Sequence, residues 1–217
     1  MEDILKSIPL FADLKDDELA TIASHAVTKS YPKNSVIINE GDDTNSLYVI
    51  QSGKVKAFLS NEDGKEVILS ILKPGNYFGE LSLLDSAPRS ASIMTMEPCK
   101  FSIICKEDFD KSIDAHPEIA RTLVTELTRT VRRLTESVRN LALMDVYGRV
   151  ARTLLDMAED IDDQKVINQK LTHQDIARMI GSSREMVSRI MKDLQKGGYI
   201  TPGNKQIIIN EKLPPGW

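Results

Sequence analysis

The 217-residue sequence predicts an α+β chain: a small N-terminal β-roll or jelly roll, one long helix, and an α-rich C-terminal part. Three observations carry that reading. Glycines at 41, 53, 64 and 75 return every 11 or 12 residues among runs rich in Val, Ile, Tyr and Phe, the rhythm of short strands joined by turns. Val124, Leu127, Val131, Leu134, Val138 and Leu141 then follow one another at steps of 3, 4, 3, 4 and 3, a heptad seam. Near the C-terminus two helical patterns flank Gly181, each with a capping residue ahead of it.

In chain order, "LFADLKDDELATIASHA" is helical, with Asp13 or Asp16 as the candidate N-cap. "SVIINEG", "SLYVIQSGKVKAFLS", "EVILSILKPGNYFG" and "ASIMTMEPCKFSIIC" are the strand-rich runs, and "NEDG" at 61–64 reads as a hairpin turn. Within them "GELSLLDSAPRSAS" (79–92) places Glu80 and Arg89 nine positions apart across a turn-rich loop. A surface salt bridge is the plain explanation. A pocket for a ligand carrying both a phosphate and a hydroxyl is the sharper one, because an acid and a base held side by side in a buried site would pair poorly without a third party.

After Pro117 comes the heptad seam, with Arg, Thr and Glu on the other faces. Two apolar positions in seven are narrower than a core-facing helix needs, so a parallel coiled coil between two copies is predicted over 117–144. "VYGRVARTLLDMAED" is a further helix and "QKVINQK" a short strand or connection. In "LTHQDIARMIGSSREMVSRIMKDLQKGGYI", Thr172 with Asp175 forms a capping-box pattern, Gly181 ends the first helix, and Ser182 or Ser183 caps the second. Met186, Val187, Ile190 and Leu194 form the expected buried stripe. That leaves Arg184, Glu185, Ser188, Arg189 and Lys192 outward on a helix suited to the major groove, where Arg binds guanine bidentately and Glu accepts from cytosine. "GGYITPGNKQIIIN" supplies a wing, turning at Pro202-Gly203-Asn204 and offering Lys205 to a phosphate. The domain division expected is 1–116, 117–144 and 145–217.

Charge agrees. The net of −4 conceals 17 Lys and Arg against 23 Asp and Glu before residue 146, and 11 against 9 after it; within 170–205 the count is 7 against 3. A basic back end suits a phosphate-backbone partner. The opening "MEDILKSIPLF" lacks a basic n-region, and no window approaches the ~20 apolar residues of a membrane span, so a cytoplasmic protein is expected. Cys99 and Cys105 read as buried thiols. They and the histidines at 25, 116 and 173 do not make a structural zinc or iron–sulfur set, so no metal is expected. With no nucleophile–base set and no Walker-type loop, an enzyme is not expected either.

Together these residues resemble the cyclic-AMP receptor protein (catabolite activator) family of bacterial transcription regulators, from "LFADLKDDELATIA" to the winged helix-turn-helix. "FGELSLLDSAPRSA" is similar to the phosphate-binding cassette of cyclic-nucleotide domains. The resemblance implies that Gly79 and Leu81 turn N–H groups to the phosphate, Glu80 accepts from the ribose 2′-hydroxyl, Arg89 neutralises the phosphate oxygens and Ser90 donates a hydroxyl. "SREMVSRIMKDL" resembles the recognition helix, implying base contacts by Arg184, Glu185 and Arg189 at a TGTGA-like palindrome. The implied effector is a cyclic nucleotide, cyclic AMP, and the implied partners are double-stranded DNA, a second copy of the chain and RNA polymerase. One departure stands out: where the cyclic-AMP binders carry adjacent Thr and Ser towards the adenine, this chain has Leu134 and Thr135. The redox and haem branches fit worse, since their N-terminal cysteine cluster is absent, and the winged helix argues against a subunit that regulates only a protein partner.

Overall fold

Short runs of β-branched and aromatic residues become strands here, and the glycines between them become turns. The computed structural model describes residues 6, 8–12, 14–161, 164–168, 171–203, 206–211 and 213, and the chain divides into two units, residues 1–131 and 132–217. In the first unit a 3-10 turn at Pro9–Phe11 leads to helix α1 (Asp16–His25). Asp13 lies outside the described residues and Asp16 is already helical. The N-cap is Lys15, whose backbone N–H donates to Glu18 Oε2 at 2.8 Å.

Strands β1 (Val27–Tyr31), β2 (Val36–Ile38), β3 (Ser46–Ser52), β4 (Val55–Ser60), β5 (Glu66–Leu72) and β6 (Tyr77–Phe78) come next. After them come the short helix α2 (Leu81–Asp85) and strands β7 (Ser92–Thr95) and β8 (Cys99–Cys105). They form two antiparallel sheets in the orders β1-β8-β3-β6 and β2-β7-β4-β5. The glycines that set the strand rhythm all take positive φ, between 74° and 86°.

The period of two along β3 shows how the unit is held together. Ile50, with Val55, Ile93 and Phe101, fills the space between the sheets, where Tyr48 stacks on Phe78 at 4.9 Å and Phe78 meets Phe101 edge-on at 5.5 Å. Leu47 and Val49 point the other way, into a second core with Phe11, Leu19, Leu83, Phe109, Ile119 and Leu123. Each such side chain contributes about 1.5–3 kcal/mol on burial. That second core belongs to helices α1, α2, α3 (Lys106–Ala115) and the first turns of α4 (Pro117–Leu143), so the residues joining the barrel to the long helix are packed rather than strung. Cys99 is buried as expected, but Cys105 is exposed, because it ends β8 as the N-cap of α3.

In the second unit Asp145 caps α5 (Val146–Met157), its Oδ1 accepting the Gly148 N–H at 2.7 Å. A strand that the sequence did not reveal, β9 (Glu159–Ile161), pairs with β10 (Gln164–Ile167). Helices α6 (His173–Ile180) and α7 (Arg184–Lys196) follow, then β11 (Ile200–Pro202) and β12 (Ile207–Ile209), completing an antiparallel sheet in the order β11-β12-β10-β9. Val150, Leu154, Ile176, Ile180, Val187 and Leu194 lie in its core. Among the described residues no helix is long and apolar enough to cross a membrane.

Candidate functional site

Sharp backbone pins the 79–92 stretch. Gly79 sits at φ +88°, between β6 and α2, and Ser86 ends α2 in the left-handed region at φ 56°. The chain then returns past Pro88, and the Arg89 backbone is clamped on both sides: its N–H donates to the Asp42 carbonyl at 2.9 Å, and its carbonyl accepts from the Gly41 N–H at 2.8 Å. Arg89 is only 4% exposed. Its Nε donates to Thr44 Oγ1 at 2.9 Å, Nη1 to the Gly79 carbonyl and to Ser82 Oγ at 2.7 Å each, and Nη2 to the Ser46 carbonyl at 2.9 Å.

Gly79 is required by that packing. A Cβ there would stand 2.6 Å from Arg89 Nη1 and 2.8 Å from the Ser46 carbonyl oxygen. The expectation that an acid and a base would sit poorly paired needs correcting on one side: hydroxyls and carbonyls of the chain itself hold the guanidinium. Its charge is another matter, since no carboxylate among the described residues lies within salt-bridge distance of it. Burial pulls the Arg89 pKa down, against the Coulombic pull of Tyr48, Glu80 and Asp42.

Glu80, the residue at the N-cap of α2, is half-buried, and burial raises its carboxyl pKa above the ordinary value. The same burial, with Glu80 and then Glu126 adding negative charge, pushes the Tyr77 phenol far up. Leu81 and Ser90 are exposed. The fold therefore brings Gly79 and Glu80 to Arg89, while Leu81 and Ser90 adjoin them only along the chain. It adds Thr44, Ser46 and Ser82, which sequence reasoning missed. Ser82 lay in plain view as an ordinary helix residue, and Thr44 is 45 positions from its partner, a separation at which no local pattern speaks.

On the second unit, Thr172 caps α6, with its Oγ1 accepting the Asp175 N–H at 3.1 Å and donating to Asp175 Oδ2 at 2.6 Å. Gly181 ends that helix at φ 63°, ψ 44°, and Ser183, rather than Ser182, caps α7 by accepting the Met186 N–H at 3.2 Å. Arg184, Glu185, Arg189 and Lys192 stand exposed within one face of α7. Ser188 shares that face but is half-buried, and its hydroxyl lies 2.8 Å from His173 Nδ1, tying the two helices together. The buried stripe of α7 is Val187, Ile190, Met191 and Leu194; Met186, assigned to it from the sequence, is 37% exposed instead. The β11–β12 hairpin closes with the Gly203 N–H on the Gln206 carbonyl at 2.9 Å, while Asn204 and Lys205 lie outside the described residues.

Along α4, Val124, Val131, Leu134, Val138 and Leu141 are exposed and Leu127 is half-buried. Thr135 is exposed as well. No group of three or more His, Cys, Asp or Glu side chains among the described residues is arranged to hold a metal ion.

A family model of the cyclic nucleotide-binding domain matches residues 28–116, and one of the Crp-like helix-turn-helix domain matches residues 148–212. The cAMP-activated global transcriptional regulator CRP of Pasteurella multocida is 36% identical over 198 residues, 89% of this chain and 95% of that protein. The CRP-like cAMP-activated global transcriptional regulator of Mycobacterium tuberculosis is 31% identical over 215 residues, 97% of this chain and 96% of that one. Among solved structures, the Thermus thermophilus catabolite activator protein is 31% identical and covers 94% of both chains, with a TM-score of 0.57. The c-di-GMP responsive regulator CLP of Xanthomonas campestris shares the fold at a TM-score of 0.78 and 24% identity, over 91% of this chain and 100% of that one. With both halves matched and relatives above 30% identity along nearly its whole length, this chain belongs to the CRP/FNR family of DNA-binding transcription regulators and is not an enzyme.

Proposed function

We propose that the protein is a homodimeric, cytoplasmic regulator whose grip on DNA is set by a cyclic nucleotide, cyclic AMP, held against Arg89. The observation that carries this reading is a guanidinium 4% exposed with no carboxylate in salt-bridge reach among the described residues. A buried charge without a counter-ion is costly, and a cyclic phosphodiester brings one negative charge of matching geometry. Arg89 and Ser90 take the phosphate, the N–H groups at Gly79 and Leu81 face it, and Glu80 accepts from the ribose hydroxyl.

The nucleobase falls to Thr135 and Leu134 of α4, and two chains pair along Val124, Leu127, Val131, Leu134, Val138 and Leu141, the segment 117–144 serving as the dimerisation helix. Arg184, Glu185 and Arg189 read a TGTGA-like half-site. Lys192 and Lys205, with Thr172, Ser183 and Ser188, meet the backbone around it. RNA polymerase is the further partner of such a regulator.

A second reading keeps the dimer and the DNA contact and changes the base. It is favoured by Leu134, whose side chain offers adenine no hydrogen bond, and the CLP structure shows a c-di-GMP responsive regulator on the same fold. Calorimetry of the purified protein against cyclic AMP, cyclic GMP and cyclic di-GMP separates the two. Retardation of a TGTGA palindrome with and without each nucleotide then tests control. Micromolar binding of cyclic AMP that strengthens retardation is expected. Binding of another nucleotide alone moves the assignment to it, and DNA binding indifferent to all three overturns ligand control.

A further inference from the structure

An arginine side chain carries five N–H donors. Four of those on Arg89 are committed within the chain: to Thr44 Oγ1, the Gly79 carbonyl, Ser82 Oγ and the Ser46 carbonyl. A phosphate gripped bidentately needs two parallel N–H groups, so one remaining donor is too few. Something must let go. The Ser46 carbonyl belongs to β3, paired against Cys105 of β8, and the Gly79 carbonyl is fixed by the positive-φ turn. These two acceptors are main chain and cannot swing away. The other two are hydroxyl oxygens on rotatable side chains. Ser82 Oγ has only long alternatives, 3.4 Å to the Thr44 carbonyl and 3.4 Å to the Gly79 carbonyl.

We propose that Ser82 and Thr44 set the affinity of the cyclic-nucleotide site: their hydroxyls hold the guanidinium N–H groups that an incoming phosphate needs, so the anion binds by exchange with them. The inference rests on the cyclic-nucleotide reading above and adds two residues to it. Thr44 and Ser82 hold the guanidinium in place between the fixed carbonyls, and they also compete with the ligand for it. A charged acceptor replaces a neutral one in each exchange, which favours binding, but each hydroxyl bond given up reduces the gain.

Removing a competing hydroxyl leaves an Arg89 donor without an acceptor until the anion arrives. Ser82→Ala and Thr44→Val are therefore expected to bind cyclic nucleotide more tightly, each by about tenfold. The gain should be the same for cyclic AMP and cyclic GMP, since it concerns the phosphate they share. Both variants should also melt at lower temperature than wild type without nucleotide and recover with it. A packing defect alone would lower affinity, so the sign of the change is diagnostic.

The test is calorimetry of wild type and both variants against the two nucleotides, with circular dichroism to establish that each variant is folded. If Ser82→Ala does not fold, Thr44→Val, on a different segment, carries the comparison. Tighter, base-independent binding supports exchange. Wild type that binds while neither folded variant binds more tightly overturns the exchange and leaves the proposed function standing. No binding by any of the three proteins overturns both.

Discussion

Gly79 is the residue on which the cassette turns. Two separate demands meet there: a φ of +88°, and a gap into which the guanidinium fits with 2.6 Å between Nη1 and where a Cβ would be. Gly79→Ala violates both, and strained backbone of this kind alone costs about 1–3 kcal/mol. The expected outcome is a lower melting temperature together with loss of nucleotide binding by calorimetry; a normal titration would remove Gly79 from the site. Glu80 gives a pH-dependent companion. Burial raises its folded pKa above the unfolded value of about 4.3, so between the two the native state keeps a proton that the unfolded chain has lost. Stability accordingly falls as pH rises through that window, and the penalty is complete above it. Glu80→Gln should raise the melting temperature at pH 7 and lose that advantage below about pH 4. Melts that run parallel at every pH would show that the carboxyl is not strained by its surroundings.

At the scale of elements, α6 and α7 were the most legible part of the chain. Their caps and their turn glycine are local chemistry: Thr172 with Asp175, Gly181 and Ser183 each act within three or four residues of themselves. Met186 shows where that logic stops. Its place beside Val187, one turn before Ile190, suggested burial, but α7 turns the face of Val187, Ile190, Met191 and Leu194 inward, a rotation that packing against α5 and α6 decides. The strand β9 was illegible for a similar reason: Glu-Asp-Ile has no strand signature, and only pairing with β10 makes it one. The Arg89 nest was half legible, since the acid, the base and the glycine stand together in sequence whereas Thr44 and Ser46 arrive from another strand and its approach. On α7 the exposed Arg184 and Arg189 yield a direct expectation. Replacing either with Ala should cost roughly 1–3 kcal/mol at a TGTGA-like half-site and relax preference at the base it reads. Equal retardation of matched and mismatched sites before and after substitution would contradict that role.

For the whole molecule the decisive surface is on α4, where Val124 and Val138 are 63% and 64% exposed in a single chain. In the proposed dimer these side chains are covered, and Val138→Asp puts like charges opposite each other across the two-fold. Sedimentation should then show the mass of one chain where wild type shows two; an unchanged dimer mass would place the pairing surface elsewhere. Pairing along this exposed stripe, as proposed above, would turn gene dosage into a signal. While most chains are single, the amount of paired protein grows as the square of their number, so a twofold rise in expression raises it roughly fourfold. A promoter served by this regulator would then respond to how much of the protein the cell has made as well as to the nucleotide proposed to control it, and halving the protein's concentration would cut the paired form roughly fourfold.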